Sequence, residues 1–142
     1  MTIPTFPADL PAPRFSGYRS QRMDGRRQSS FDAGPPKVSR RYSAVARTVQ
    51  LEVLLELWQK AKFDRFYIDD CAEGSRLFWM PDYAVDGAFL LDEAGLSLLD
   101  ENDAPLLTAK MMLCQWGDAP PVAANPVLRR QVVSFSVVEL PT

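Results

Sequence analysis

Between Thr48 and Leu55 apolar and polar residues alternate, with Val49, Leu51, Val53 and Leu55 on one side and Thr48, Gln50 and Glu52 on the other. Leu51, Leu54, Leu55 and Trp58 also fit a helical stripe, but strict alternation with β-branched residues favours a half-buried strand over about Arg41–Leu55. From about Leu57 to Cys71 the pattern changes. Phe63, Phe66, Tyr67 and Cys71 recur at helical spacing while Lys60, Lys62, Asp64 and Arg65 supply a wet side, and Gly74 is placed to stop the helix. Ser75–Met80 predicts a second strand ended by Pro81. Lys110–Trp116 predicts a third, with Lys110, Met112, Cys114 and Trp116 on one face. A Pro/Gly/Ala loop is expected over 117–126, then a long closing strand, Leu128–Leu140, with Val133, Phe135 and Val137 on one face. Strands on both sides of one helix point to a mainly β (α+β) body over residues 40–142.

Two stretches depart from this pattern. Residues 1–39 are broken by Pro4, Pro7, Pro11, Pro13, Pro35 and Pro36, and by Gly17, Gly25 and Gly34. Each proline fixes its own φ and moves its predecessor out of helix, so an extended arm is expected. Its irregularly spaced aromatics (Phe6, Phe15, Tyr18, Phe31) would anchor on its own body or on a neighbouring subunit. The other departure is an octad repeat inside an insertion at about 83–109. Leu90/Leu91, Leu98/Leu99 and Leu106/Leu107 mark its rungs, and Asp92–Gly95 and Asp100–Asp103 stand at the turns. A small projecting β-meander or hairpin with a solvated acidic rim is expected, since the ligand spacing of a calcium loop is absent.

Charge sharpens the division. Residues 1–47 carry nine basic and three acidic residues, a net +6, while the remaining 95 carry seven and fifteen, a net −8. Such a split favours head-to-tail contact between copies. Arg22, Arg26 and Arg27, with Arg40 and Arg41, could also meet phosphate, but the chain as a whole is acidic, and salt bridges between subunits fit better. Candidate chemistry is thin. There is no histidine, which removes the usual general base and completes no zinc set with Cys71 and Cys114. The two cysteines read as buried thiols, with a disulfide between them left open. Asp69, Asp70 and Glu73 read as solvated acids at a helix end, and no glycine-rich nucleotide signature occurs. The aromatics Phe63, Phe66, Tyr67, Phe78, Trp79, Trp116 and Phe135 read as core. No apolar run reaches the ~20 residues of a membrane-spanning helix, and residues 1–6 lack the layout of a secretory signal. An enzyme is not expected, and neither is a cofactor or metal.

Several short motifs follow one another in order: Gly17-Tyr18-Arg19-Ser20-Gln21-Arg22; Asp32-Ala33-Gly34 leading to Arg40-Arg41-Tyr42-Ser43; Gly74 followed by Phe78-Trp79-Met80-Pro81; and Cys114-Gln115-Trp116 with the closing strand 133–140. In that order they resemble the phage minor tail proteins of the lambda M type and their siphophage distal-tail relatives. The resemblance covers about 15–82 and 110–140, and the insertion at 83–109 and the longer loop at 117–127 depart from it. It implies a tail-tube-like β-sandwich or split barrel with one flanking helix. It also implies a homo-oligomeric, hexameric ring that joins the tail tube protein to the tail hub and receptor-binding tip. DNA would meet such a ring only by passing through its lumen, and the subunit would be made in the host cytoplasm and end in the virion tail. The family carries no catalytic residues. Arg22, Arg26, Arg27, Arg40, Arg41 and Tyr42 are the expected subunit-interface residues. A tail-completion or head–tail joining protein is the alternative, and a non-viral protein-interaction module a second one.

Overall fold

The computed structural model describes residues 2–30, 32–41 and 44–141. Tyr42, one of the expected interface residues, lies outside the described residues. In chain order the elements are β1 (Arg19–Arg22), β2 (Arg26–Ser29), β3 (Lys37–Arg40), β4 (Arg47–Glu56), α1 (Leu57–Arg65), β5 (Phe78–Pro81), β6 (Met111–Trp116), β7 (Val122–Val127) and β8 (Arg130–Glu139). The fold is mainly β with one helix, as the periodicity predicts. The main sheet runs β1-β4-β8-β6-β5 and is antiparallel throughout, and β7 adds a further pairing to β8. Along one edge, β8 pairs with β4 from Arg130 to Glu139. Along the other it is shared, β7 taking Arg130–Ser134 and β6 taking Val137–Glu139, so the sheet divides there.

Alternation decides which face is buried. Val49, Leu51, Val53 and Leu55 of β4 face the core, as do Val133, Phe135 and Val137 of β8 and Met112, Cys114 and Trp116 of β6. At Glu56 the chain turns into α1 through a reciprocal cap. The Glu56 side chain accepts from the Gln59 backbone N–H, and Gln59 Oε1 accepts from the Glu56 N–H at 2.9 Å. The helix runs on as one π-helical turn, Phe66–Asp70, in which the Cys71 N–H donates to the Phe66 carbonyl at 2.9 Å. That wider turn keeps Cys71 on the buried side with Phe63 and Phe66. Ala72, Glu73 and Gly74 then take left-handed φ of 49°, 59° and 84°. At Gly74 a Cβ would stand 2.9 Å from the Tyr67 hydroxyl, so both φ and space call for glycine there.

The helical layer and the sheet meet in an aromatic cluster. Trp116 lies with its ring centroid 4.9 Å from Phe78 and 5.5 Å from Phe135, and Phe63 meets Phe135 at 5.3 Å. Phe6 enters the same cluster, 5.6 Å from Phe66, and is itself buried together with Leu10.

The segment expected as a 39-residue arm therefore divides in two. Residues 4–6 lie along β5, where the Phe6 N–H donates to Trp79 O at 2.7 Å and the Trp79 N–H to Pro4 O at 2.9 Å. The chain crosses the core with Phe6 and Leu10 inward, ties Arg14 N–H to Glu52 O at 2.7 Å, and joins the opposite edge as β1 beside β4. The first 22 residues thus form both margins of the sheet: residues 4–6 lie outside β5, and β1 is the edge strand beside β4. Only β2 and β3 leave the body, as a separate two-stranded sheet with every residue exposed.

A second difference lies at 117–126, expected as loop. Val122–Val127 is strand β7, with a register shift between Ala124 and Val127. Pro126 falls in that shift, on an edge strand, where a missing N–H breaks no ladder. The turn to β8 places Leu128 and Arg129 at φ of 49° and 64°.

Candidate functional site

One end of the sheet gathers the features that project. Arg47 begins β4 there, opposite Arg22 of β1 and Glu139 of β8. Arg47 reaches Glu139 at 2.6 Å and Asp82 at 3.1 Å, and Lys110 stands 3.4 Å from Asp82. Asp82 is the one buried charged residue among those described, and it also accepts from the Ala84 N–H. Its carboxylate therefore fastens the base of the 83–109 insertion to the first and last long strands. Above this base, Arg22, Val45, Met111, Met112 and Leu140 line a shallow groove.

From one side of the groove rises the β2–β3 hairpin. The Met23 N–H donates to Ala46 O at 2.9 Å at its root, and the Arg41 N–H to Gly25 O at 2.8 Å further out. Arg26 lies directly opposite Arg40 in the register, Arg27 opposite Ser39 and Ser29 opposite Lys37. Like charges facing across a strand pair repel. Asp24 compensates Arg26: it bonds the Arg26 guanidinium at 2.9 Å, and that bond holds its carboxyl down at about 2. Of the expected interface residues, Arg26, Arg27, Arg40 and Arg41 come together on this hairpin. Arg22 stands apart at its root, in the sheet itself.

From the other side rises the octad repeat, and its form is a closed knob instead of an open meander. Leu98 N–H donates to Leu90 O (2.8 Å), Leu106 N–H to Leu98 O (2.9 Å), and Leu90 N–H to Leu106 O (2.9 Å). The three rungs thus close a cycle, each eight residues from the last. Each turn repeats the same device: Asp92 Oδ1 accepts from Ala94 and Leu96 N–H, and Asp100 Oδ1 from Asn102 and Ala104 N–H. Gly95 and Asp103 occupy equivalent places with φ of 82° and 61°. Reciprocal bonds between Ala88, Gly87 and Thr108 close the stalk.

The knob encloses no core. Leu90, Leu98 and Leu106, the first of each pair, are 38–41% exposed, and Leu91, Leu99 and Leu107, the second, are 53–58% exposed. Phe89 and Leu96 add to this apolar surface. The leucines were readable in the sequence as rungs; that they face outward was not read. The signal was present, because adjacent leucines on an extended chain point to opposite sides and so short an insertion has an interior for only one side. A contiguous exposed apolar surface with a charged rim marks an interaction site. At the opposite end of the sheet Leu54, Leu57, Trp58, Val127 and Leu128 form a second exposed apolar group.

The chemistry of the remainder is quiet. Cys71 and Cys114 are free and buried, with burial pushing both thiols up, Cys114 to about 12. Among the described residues no group of three or more His, Cys, Asp or Glu side chains could hold a metal ion. No helix among the described residues is long and apolar enough to cross a membrane. No protein-family model and no curated protein matches the chain.

Proposed function

We propose that this chain is a structural, non-enzymatic ring subunit of the distal end of a phage-type tail, joining the tail tube to the tail-tip apparatus. The observation that carries the reading is the co-linear set of tail-protein motifs at 17–22, 40–43, 74–81 and 133–140. The arrangement of surfaces supports it. A ring closes through a heterologous contact, one surface against a different one, and the chain offers a basic hairpin and an acidic apolar knob at the same end of its sheet. The exposed apolar group around Leu54, Trp58 and Leu128 provides a further surface for an axial neighbour, the tail tube protein on one side or the hub on the other. DNA would pass through the lumen without a dedicated site, and the virion tail would be the final location.

Electron microscopy of stained full-length protein tests the reading, with annular particles expected around an axial hole. The companion variant replaces residues 26–40 with an Asn-Gly turn. Because Phe6, Leu10 and β1 belong to the body, this variant keeps the fold and loses the rings. Rings that persist without the hairpin would remove it from the assembly.

A further inference from the structure

We propose that the leucine knob of one copy docks onto the β2–β3 hairpin of the next copy, so that these two projections form the repeating contact of the assembly. The proposal rests on the ring reading above and names the surfaces that close it. Its first support is charge. Residues 86–109 contain six acidic and no basic residues, a net −6, while residues 22–41 contain six basic and two acidic residues, a net +4. Opposed fields of this kind steer association and fix register.

The second support is that each projection is incomplete by itself. The knob exposes Phe89, Leu91, Leu96, Leu99 and Leu107 with no core behind them. The hairpin exposes Met23 and Val38, with Arg27 and Lys37 on the same two strands. Carboxylates at Glu93, Glu101 and Asp103 on the partner knob would meet the positive field of the hairpin, while the leucines cover Met23 and Val38 and the aliphatic stems of its basic residues.

The third support is placement. Both projections leave the Arg47 end of the sheet, one after Arg22 and the other after Asp82, yet within one chain neither buries the other. A surface that its own chain leaves uncovered, beside a complementary one equally uncovered, is satisfied by repetition: the knob of each copy meets the hairpin of its neighbour. Such a head-to-tail contact leaves no end unsatisfied once the ring closes.

Charge exchange tests this without touching the Asx turns or the core. R27E/K37E takes the hairpin from a net +4 to zero, and E93K/E101K takes the knob from −6 to −2. By sedimentation of the full chain at low salt, each variant alone is expected to self-associate at least about tenfold more weakly than the natural chain. An equimolar mixture of the two double variants, which brings one unaltered hairpin to one unaltered knob, should associate more strongly than either variant alone. Circular dichroism checks that each variant is folded. Rings that form equally well in every variant would overturn the knob–hairpin contact and leave the ring reading standing. Association that follows the charges but gives open chains or dimers would uphold the contact and overturn the ring. A natural chain that stays monomeric at every concentration would overturn both.

Discussion

At Asp82 the stability of the body and the placement of the knob meet in one carboxylate. It is buried, and it faces Arg47, Lys110 and the Ala84 N–H. Removing one member of a buried ion pair leaves the other's charge uncompensated. Arg47 keeps Glu139 as a partner, so Asp82→Ala is expected to cost about 2–3 kcal/mol in urea denaturation, less than a fully stranded cation would. An unchanged midpoint would show that the carboxylate is not structural. A second expectation concerns pH. Burial pushes Cys114 from an ordinary 9.0 to about 12, and Tyr83 from 10.0 to about 12. Between those limits the folded chain keeps protons that the unfolded chain releases, so stability falls as pH rises. The urea midpoint should therefore decline from pH 9 upward, and a flat profile to about pH 11 would contradict the burial of these groups. The buried thiols were legible, since a lone cysteine in an apolar alternation reads as core. Asp82 was not. An acid just after Pro81 reads as loop, and its burial depends on partners 35 and 28 positions away.

Among the elements, α1, β6 and β8 were legible from their periods, and β4 from strict alternation with β-branched residues that outweighs a competing helical stripe. Strand β7 was hidden: Ala123, Ala124 and Pro126 carry little strand preference, and pairing with β8 overrides them. The N-terminal segment was half legible. Its prolines announced extended chain, but nothing local shows that Phe6 and Leu10 complete an aromatic core built from β6, β8 and the helix. In the octad repeat the Asp-led turns could be read, whereas the cyclic closure could not, because a period does not state which rung bonds which. The closure makes its own prediction. In Asp100→Ala the Asn102 and Ala104 N–H groups lose their acceptor. Hydrogen exchange should accelerate over 98–107 while the body's urea midpoint moves by less than about 0.5 kcal/mol. Equal acceleration in β4 and β8 would mean that knob and body are one cooperative unit.

For the whole molecule, the sheet body carries two oppositely charged projections at one end. The first 22 residues form the outer margins of the sheet, with β1 as one edge strand and residues 4–6 beside β5. On the proposed ring reading, association uses the knob, the hairpin and the apolar group at the far end. The charge split between the first third of the chain and the rest was legible from counting alone. What the fold adds is concentration: β1 and the crossing segment merge into the body, and the positive charge that projects is confined to one hairpin. The central claim is a closed ring, and the direct measurement is particle shape and mass together. Sedimentation of the full chain should give a six-fold multiple of its 15.9 kDa mass, with annular images whose axial hole is on the order of tens of Å. A single species at the mass of one chain, up to the highest soluble concentration and with no annuli on the grid, would contradict it.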